Sequence, residues 1–157
     1  MPLFYRPDDG AAADVIPFYW DGAYHLFFLK DYRDPEGRGE GCPWWHLVTR
    51  DFVTIEDRGE ALPRGAVDAQ DPWVFTGSVI ERDGQFHIFY TGHNSHFPAQ
   101  GKPQEAIMHA VSPDLETWTK DPDCRLFAPE GYEPHDWRDP FVFRNDAVGE
   151  YWMLLAA

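Results

Sequence analysis

The sequence predicts an all-β chain built as a β-propeller, and three observations carry that prediction. Asp-Gly pairs sit between apolar, aromatic-rich runs, first from Asp14 to Leu29 around Asp21-Gly22, then from Thr76 to Tyr90 around Asp83-Gly84. Asp-Gly in that setting is a strong short-range signal for a two-stranded hairpin. The unit returns at a near-constant period, with the turn glycines Gly22, Gly84 and Gly149 lying 62 and 65 residues apart. A second element returns with it: Trp44 to Asp57 is echoed by Ile107 to Asp121, and Asp51 precedes Asp114 by 63 residues. Two hairpins per period make about four strands, and radial repetition of four-stranded sheets is how a propeller protects its edges. Sandwiches and barrels also space hairpins closely, but they do not explain two hairpins recurring in one order.

Taken in order, residues 1–13 read as an extended lead-in with prolines at positions 2 and 7. Blade one runs from about Asp14 to Leu62 and holds a polar, Gly-rich loop from Asp31 to Pro43 between its hairpins. Gly59 to Gln70 links it to blade two, about Asp71 to Phe127, whose own long loop runs from His93 to Glu105. Loops of about a dozen residues are uncommon unless they are functional or mobile. Glu130 to Trp137 leads into blade three, which starts at about Asp139 and reaches Ala157. No window shows sustained helical spacing of apolar residues, and fourteen prolines break most helix candidates.

Residues 1–157 therefore read as one partial propeller of about two and a half blades. Closure takes at least about four blades, so the expectation is an N-terminal part of a longer protein. The apolar run at Leu154-Leu155 would otherwise leave a bare strand edge, which soluble proteins avoid. Standing alone, the chain would need a second copy or another chain to cover it.

Composition narrows the partners. A net charge of −14 opposes nucleic acid, anionic membranes and polyanionic substrates, and fits a neutral sugar or oligosaccharide. Seven Trp, seven Tyr and twelve Phe supply core and, on an exposed face, platforms for sugar rings. Cys42 and Cys124 show neither metal spacing nor a disulfide framework. His93 and His96 are three apart without a third ligand nearby, so neither a metal nor another cofactor is expected. No signal peptide or membrane span is visible, which makes cytoplasm the default location.

The register of the repeat selects the candidate chemistry. Asp14 and Thr76 each stand eight residues before their turn glycine, and Asp139 stands ten before Gly149, which matches if the third turn is two residues longer. In a propeller the first strand of each blade lines the central channel, so two carboxylates and a hydroxyl are aimed at one funnel. Convergent carboxylates are what glycosidic cleavage requires. Asp is also common at strand and turn boundaries, and a single one would carry little weight.

Several ordered motifs bear a family resemblance. Gly22-Ala-Tyr-His-Leu-Phe-Phe28, Trp44-Trp-His-Leu-Val-Thr-Arg-Asp51, Phe75-Thr-Gly-Ser78 with Phe89-Tyr-Thr-Gly92, and Trp137-Arg-Asp-Pro140 resemble elements of glycoside hydrolase family 32, the invertase and fructan-hydrolase group. The resemblance implies the first part of a five-bladed propeller that acts on β-fructosides with retention. It makes Asp14 the nucleophile, Asp139 the stabiliser of the developing charge, and Arg138 the group that fixes Asp139 or the acid. Phe75, Thr76 and Trp44 would line the sugar subsite. The sequence differs from the family pattern at Ala13 and Val15, which flank Asp14 where amides are usual, and at Leu29, which stands for a glutamine. The acid, a Glu after Arg-Asp-Pro, is expected beyond Ala157. The alternatives are a non-catalytic carbohydrate-binding propeller and a related glycosidase for another sugar, such as arabinose.

Overall fold

The computed structural model describes residues 5–157 and contains three separate antiparallel sheets. The first has order β1-β2-β3-β4, formed by Ala11–Trp20, Ala23–Asp31, Trp44–Thr49 and Glu56–Leu62. The second repeats it as β5-β6-β7-β8, formed by Trp73–Arg82, Gln85–His93, Glu105–Ser112 and Thr119–Leu126. The third is the hairpin of β9, Arg138–Asn145, and β10, Glu150–Ala156. The chain is thus two four-stranded propeller blades followed by the first hairpin of another. Strand β1 begins at Ala11, so the residues just before Asp14 belong to the sheet and not to a lead-in.

The hairpin turns form because Asp-Gly suits their backbone. Asp21 and Gly22 have φ of 45° and 74°, and Asp83 and Gly84 have 54° and 80°. These are the paired left-handed values of a tight hairpin turn, which Asp and Gly tolerate best. Two short segments depart from the helix-free expectation: Pro35–Arg38 forms a single helical turn, α1, inside the first long loop, and Pro98–Gln100 forms a 3-10 turn inside the second. Asp34 Oδ1 accepts from the Gly37 amide at 2.9 Å and Pro35 presets the first φ, so local chemistry closes the turn without an apolar face.

The core lies between blades one and two. Phe27, Trp44, Leu62, Val74, Ile88 and Tyr90 are fully buried within one cluster. Burying such side chains contributes about 1.5–3 kcal/mol each. The blades are also stitched by polar contacts. The Val74 amide donates to Cys42 O at 2.9 Å, and the Trp44 indole donates to Phe75 O at 3.1 Å. The Val142 amide donates to Ser78 Oγ at 2.9 Å, which docks β9 on β5. Strand β10 is an outer edge, with Tyr151, Trp152 and Leu154 exposed.

Candidate active site

The three register positions share a local device. In β1, Ala13 pairs Leu29 and Val15 pairs Phe28, which leaves Asp14 as an extra residue. In β5, Phe75 pairs Thr91 and Gly77 pairs Tyr90, which leaves Thr76 extra in the same way. In β9, Arg138 pairs Ala156 and Phe141 pairs Leu154, so Asp139 and Pro140 oppose Leu155 alone. Each first strand therefore carries a bulge at the matching place, and a bulge re-aims a side chain out of the pleat.

Asp14 and Asp139 hold φ of 40° and 59°, left-handed values that cost free energy for a residue with a Cβ. Gly77 shows how tightly the second bulge is pressed, since a Cβ there would sit 2.0 Å from Phe89 O.

The bulges bring the functional groups together across blades. Thr76 donates its hydroxyl to Asp14 Oδ2 at 2.6 Å, although 62 residues separate them. The Asp139 amide donates to Thr91 Oγ1 at 2.8 Å, which ties blade three to β6. Partial desolvation of Asp139 raises its carboxyl pKa above the ordinary range; Arg138 opposes the shift, while Asp14 and Glu105 add to it. Asp14 is thus one of the charges that act on Asp139, after burial and Arg138.

Beside them opens a cavity of about 510 Å³ between the blades. Its wall includes Ala13 and Phe75, the residues preceding Asp14 and Thr76, together with Leu29, Tyr32, Cys42 and Trp73. Asp31, Asp34 and Glu40 add acid to its rim, and Arg33 adds one base. The size suits a small ligand. The Arg64 guanidinium holds the rim loop by donating to Glu40 O at 2.8 Å and Gly41 O at 3.3 Å. His96 Nε2 meets Glu40 Oε2 at 2.6 Å and joins the long loops of the two blades.

One expected subsite residue is corrected. Trp44 is completely buried in the core, so it does not line a sugar subsite. Its aromatic surface is spent on packing, and its indole N–H holds Phe75 O and so positions β5. Phe75 itself is half-buried, faces the cavity, and packs its ring on His93 with centroids 4.5 Å apart. Arg138 flanks Asp139, but its guanidinium turns to His135 O at 2.7 Å and towards Asp136 and Glu105.

Glu105 and His93 are residues the sequence reading left out of the site. Glu105 is fully buried, His93 Nδ1 lies 3.0 Å from its Oε1, and Arg138 Nε lies 3.3 Å from its Oε2. A Glu directly before the apolar run Ala106-Ile107-Met108 was the one available signal. The spacing of His93 and His96 drew attention to metal chemistry, whereas each imidazole meets a separate carboxylate.

Residues 7–157 match the family described as the glycosyl hydrolases family 32 N-terminal domain. The chain belongs to family 32. Among curated relatives, the raffinose invertase of Escherichia coli is 30% identical over 88% of this chain and 28% of its own length. A sucrose-6-phosphate hydrolase of Pediococcus pentosaceus is 30% identical over 100% of this chain and 30% of its own. The crystal structure of exo-inulinase from Aspergillus awamori superposes with a TM-score of 0.76 at 26% identity, covering 96% of this chain and 34% of that one. The family 32 chain described here thus spans less than a third of the length of these two curated relatives.

Proposed function

We propose that this family 32 chain forms the nucleophile-bearing part of a glycosidase for neutral β-fructosides of the sucrose and fructan class. The observation that carries the reading is the placement of Asp14, Thr76 and Asp139 at matching bulges of successive blades, with the Thr76 hydroxyl bonded to Asp14 at 2.6 Å. Asp14 attacks the anomeric carbon of the fructosyl unit, and the C–O bond to the leaving sugar breaks as the new bond forms. Asp139 faces the developing oxocarbenium charge and accepts from sugar hydroxyls. Thr76 orients the nucleophile through its single donated proton.

Water then attacks the fructosyl–Asp14 ester from the vacated side, and two inversions give net retention. The leaving oxygen needs a proton, and general acids contribute typically about 10²–10⁴-fold. Glu105, buried and paired with His93, is not exposed to deliver it. The cavity rim, with three carboxylates and one guanidinium, favours uncharged sugars over phosphorylated ones.

The test is fructose release from sucrose and a levan oligosaccharide by protein carrying this chain, with the first-formed anomer followed by NMR. Asp14→Asn is expected to cut release on the order of 10⁴-fold while sugar binding persists. Undiminished release in Asp14→Asn, or no release from either sugar by the unsubstituted protein, would sink the reading.

A further inference from the structure

Glu105 opens β7 with no solvent exposure, and its two oxygens have unequal company. Oε1 lies 3.0 Å from His93 Nδ1. On the far side of that ring, His93 Nε2 lies 3.2 Å from Gln104 Nε2. An amide nitrogen only donates, so His93 Nε2 accepts and Nδ1 carries the proton given to Glu105. Each ring nitrogen thus has a partner. His93 therefore supplies a hydrogen bond to Glu105.

A permanent positive charge stands beside Glu105 in Arg138. Glu105 Oε2 and Arg138 Nε face each other at 3.3 Å, and both are buried without a hydrogen-bond partner among the described residues. A buried carboxylate left unpaired is costly, so the guanidinium is drawn to it. Arg138 is also the residue next to Asp139. A guanidinium free to swing would meet that carboxylate in a paired, two-point contact and take up its charge.

We propose that Glu105 is a positioning residue for Asp139: it captures Arg138 from behind and leaves the Asp139 carboxylate free to face the sugar. The inference rests on Asp139 serving the fructosyl unit as set out above. The groups that face Asp139 are Asp14 from β1, Thr91 from β6, Glu105 from β7 and its neighbour Arg138. Those that face Glu105 are His93 from β6 and Arg138 from β9. The two negative neighbours and the partial desolvation raise Asp139, and Arg138 alone pulls it down. Neutralising Glu105 removes one negative charge and frees Arg138 Nε, leaving the guanidinium held only through His135 O and Asp136, and both effects move Asp139 in the same direction.

The experiment is a carbon-detected NMR titration of the Asp139 carboxyl in the full chain, assigned by its loss in Asp139→Asn. Glu105→Gln is expected to lower the Asp139 midpoint on the order of half a pH unit. In an Arg138→Gln background the same Glu105 substitution should shift it by less than half as much. An unmoved midpoint in a Glu105→Gln protein with native amide dispersion overturns the proposal. Equal shifts in both backgrounds also overturn it, because Glu105 would then act by its field alone.

Should Glu105→Gln not fold, Glu105→Asp withdraws the carboxylate from Arg138 while keeping its charge. A smaller downward shift is then expected, and a titration like that of the parent protein refutes the capture. No turnover enters this measurement. A shifted Asp139 in a protein that releases no fructose would refute the proposed function and leave the Glu105 contact standing.

Discussion

Blades one and two carry the same histidine pair, and the two pairs live in different surroundings. His25 Nδ1 meets His46 Nε2 at 2.9 Å in blade one, and His87 Nδ1 meets His109 Nε2 at 3.0 Å in blade two. In each, the second ring stacks on a phenylalanine, Phe27 at 4.3 Å and Phe89 at 4.7 Å between centroids. The sequence repeat thus reproduces contacts, not only strands.

The difference is what packs on top. Blade two closes over His46, with Trp118 edge-on to Phe27 and Glu116 3.9 Å from His46 Nδ1, so His46 is 1% exposed. His109 is only half-buried and faces Asp121 and Cys124 of its own blade, whose donor atoms lie within 4.8 Å of one another. A blade's inner face acquires its energetic value from the neighbour that covers it.

The largest expected difference follows from burial. Phe27→Ala should cost about 3–5 kcal/mol of unfolding free energy, and Phe89→Ala about 2 kcal/mol, measured by urea denaturation. Equal losses would break the comparison, since they would mean that both faces are equally covered.

Next comes the response to acid. Burial pushes the His46 pKa down from 6.5 to about 3, with His25 and Arg58 adding to the shift. Between those values the unfolded chain binds a proton that the folded chain refuses, so stability falls as pH drops from about 6.5 towards 3. The slope approaches about 1.4 kcal/mol per pH unit. His46→Gln should flatten this limb of the stability profile. His87 is also lowered by burial but is more open, so His87→Gln should flatten it less. The reverse ranking would show that the blade-one pair is the looser one.

The smallest effect should be a matched one. Asp51 Oδ1 accepts from the Val53 and Thr54 amides at 2.9 and 2.7 Å, and Asp114 Oδ1 from the Glu116 and Thr117 amides at the same distances. These amides hold both carboxyls below their ordinary range. Their contribution is present above the unfolded pKa and is lost as pH falls through the folded one. Asp51→Asn and Asp114→Asn should therefore lower Tm slightly and alike at pH 7, and the deficit should shrink as pH falls below 3.8. Unequal deficits would separate two turns that the repeat makes equivalent.

Much of this molecule is legible along the chain. The Asp21-Gly22 and Asp83-Gly84 turns, the 62-residue period and the matching places of Asp14 and Thr76 all follow from signals a few residues wide. Asp139 reaches the same place because the third turn, between Asn145 and Glu150, is two residues longer than that between Trp20 and Ala23. The burial of Trp44 is not legible in the sequence, because an aromatic residue in a strand has two faces to choose from. Which face is buried depends on blade two, whose Phe75 carbonyl it holds.

What the sequence determined by itself is the local order: which runs are strands, where they turn, and that the pattern repeats. Those depend on backbone preference and alternation between near neighbours. Only the tertiary structure decided which side chains came together. Thr76 meets Asp14 from 62 residues away, Asp139 meets Thr91 from 48, and Glu105 faces Arg138 across two blades. Such contacts are fixed by bulges and burial, and a charge acquires its partner only once the sheets have packed and excluded water.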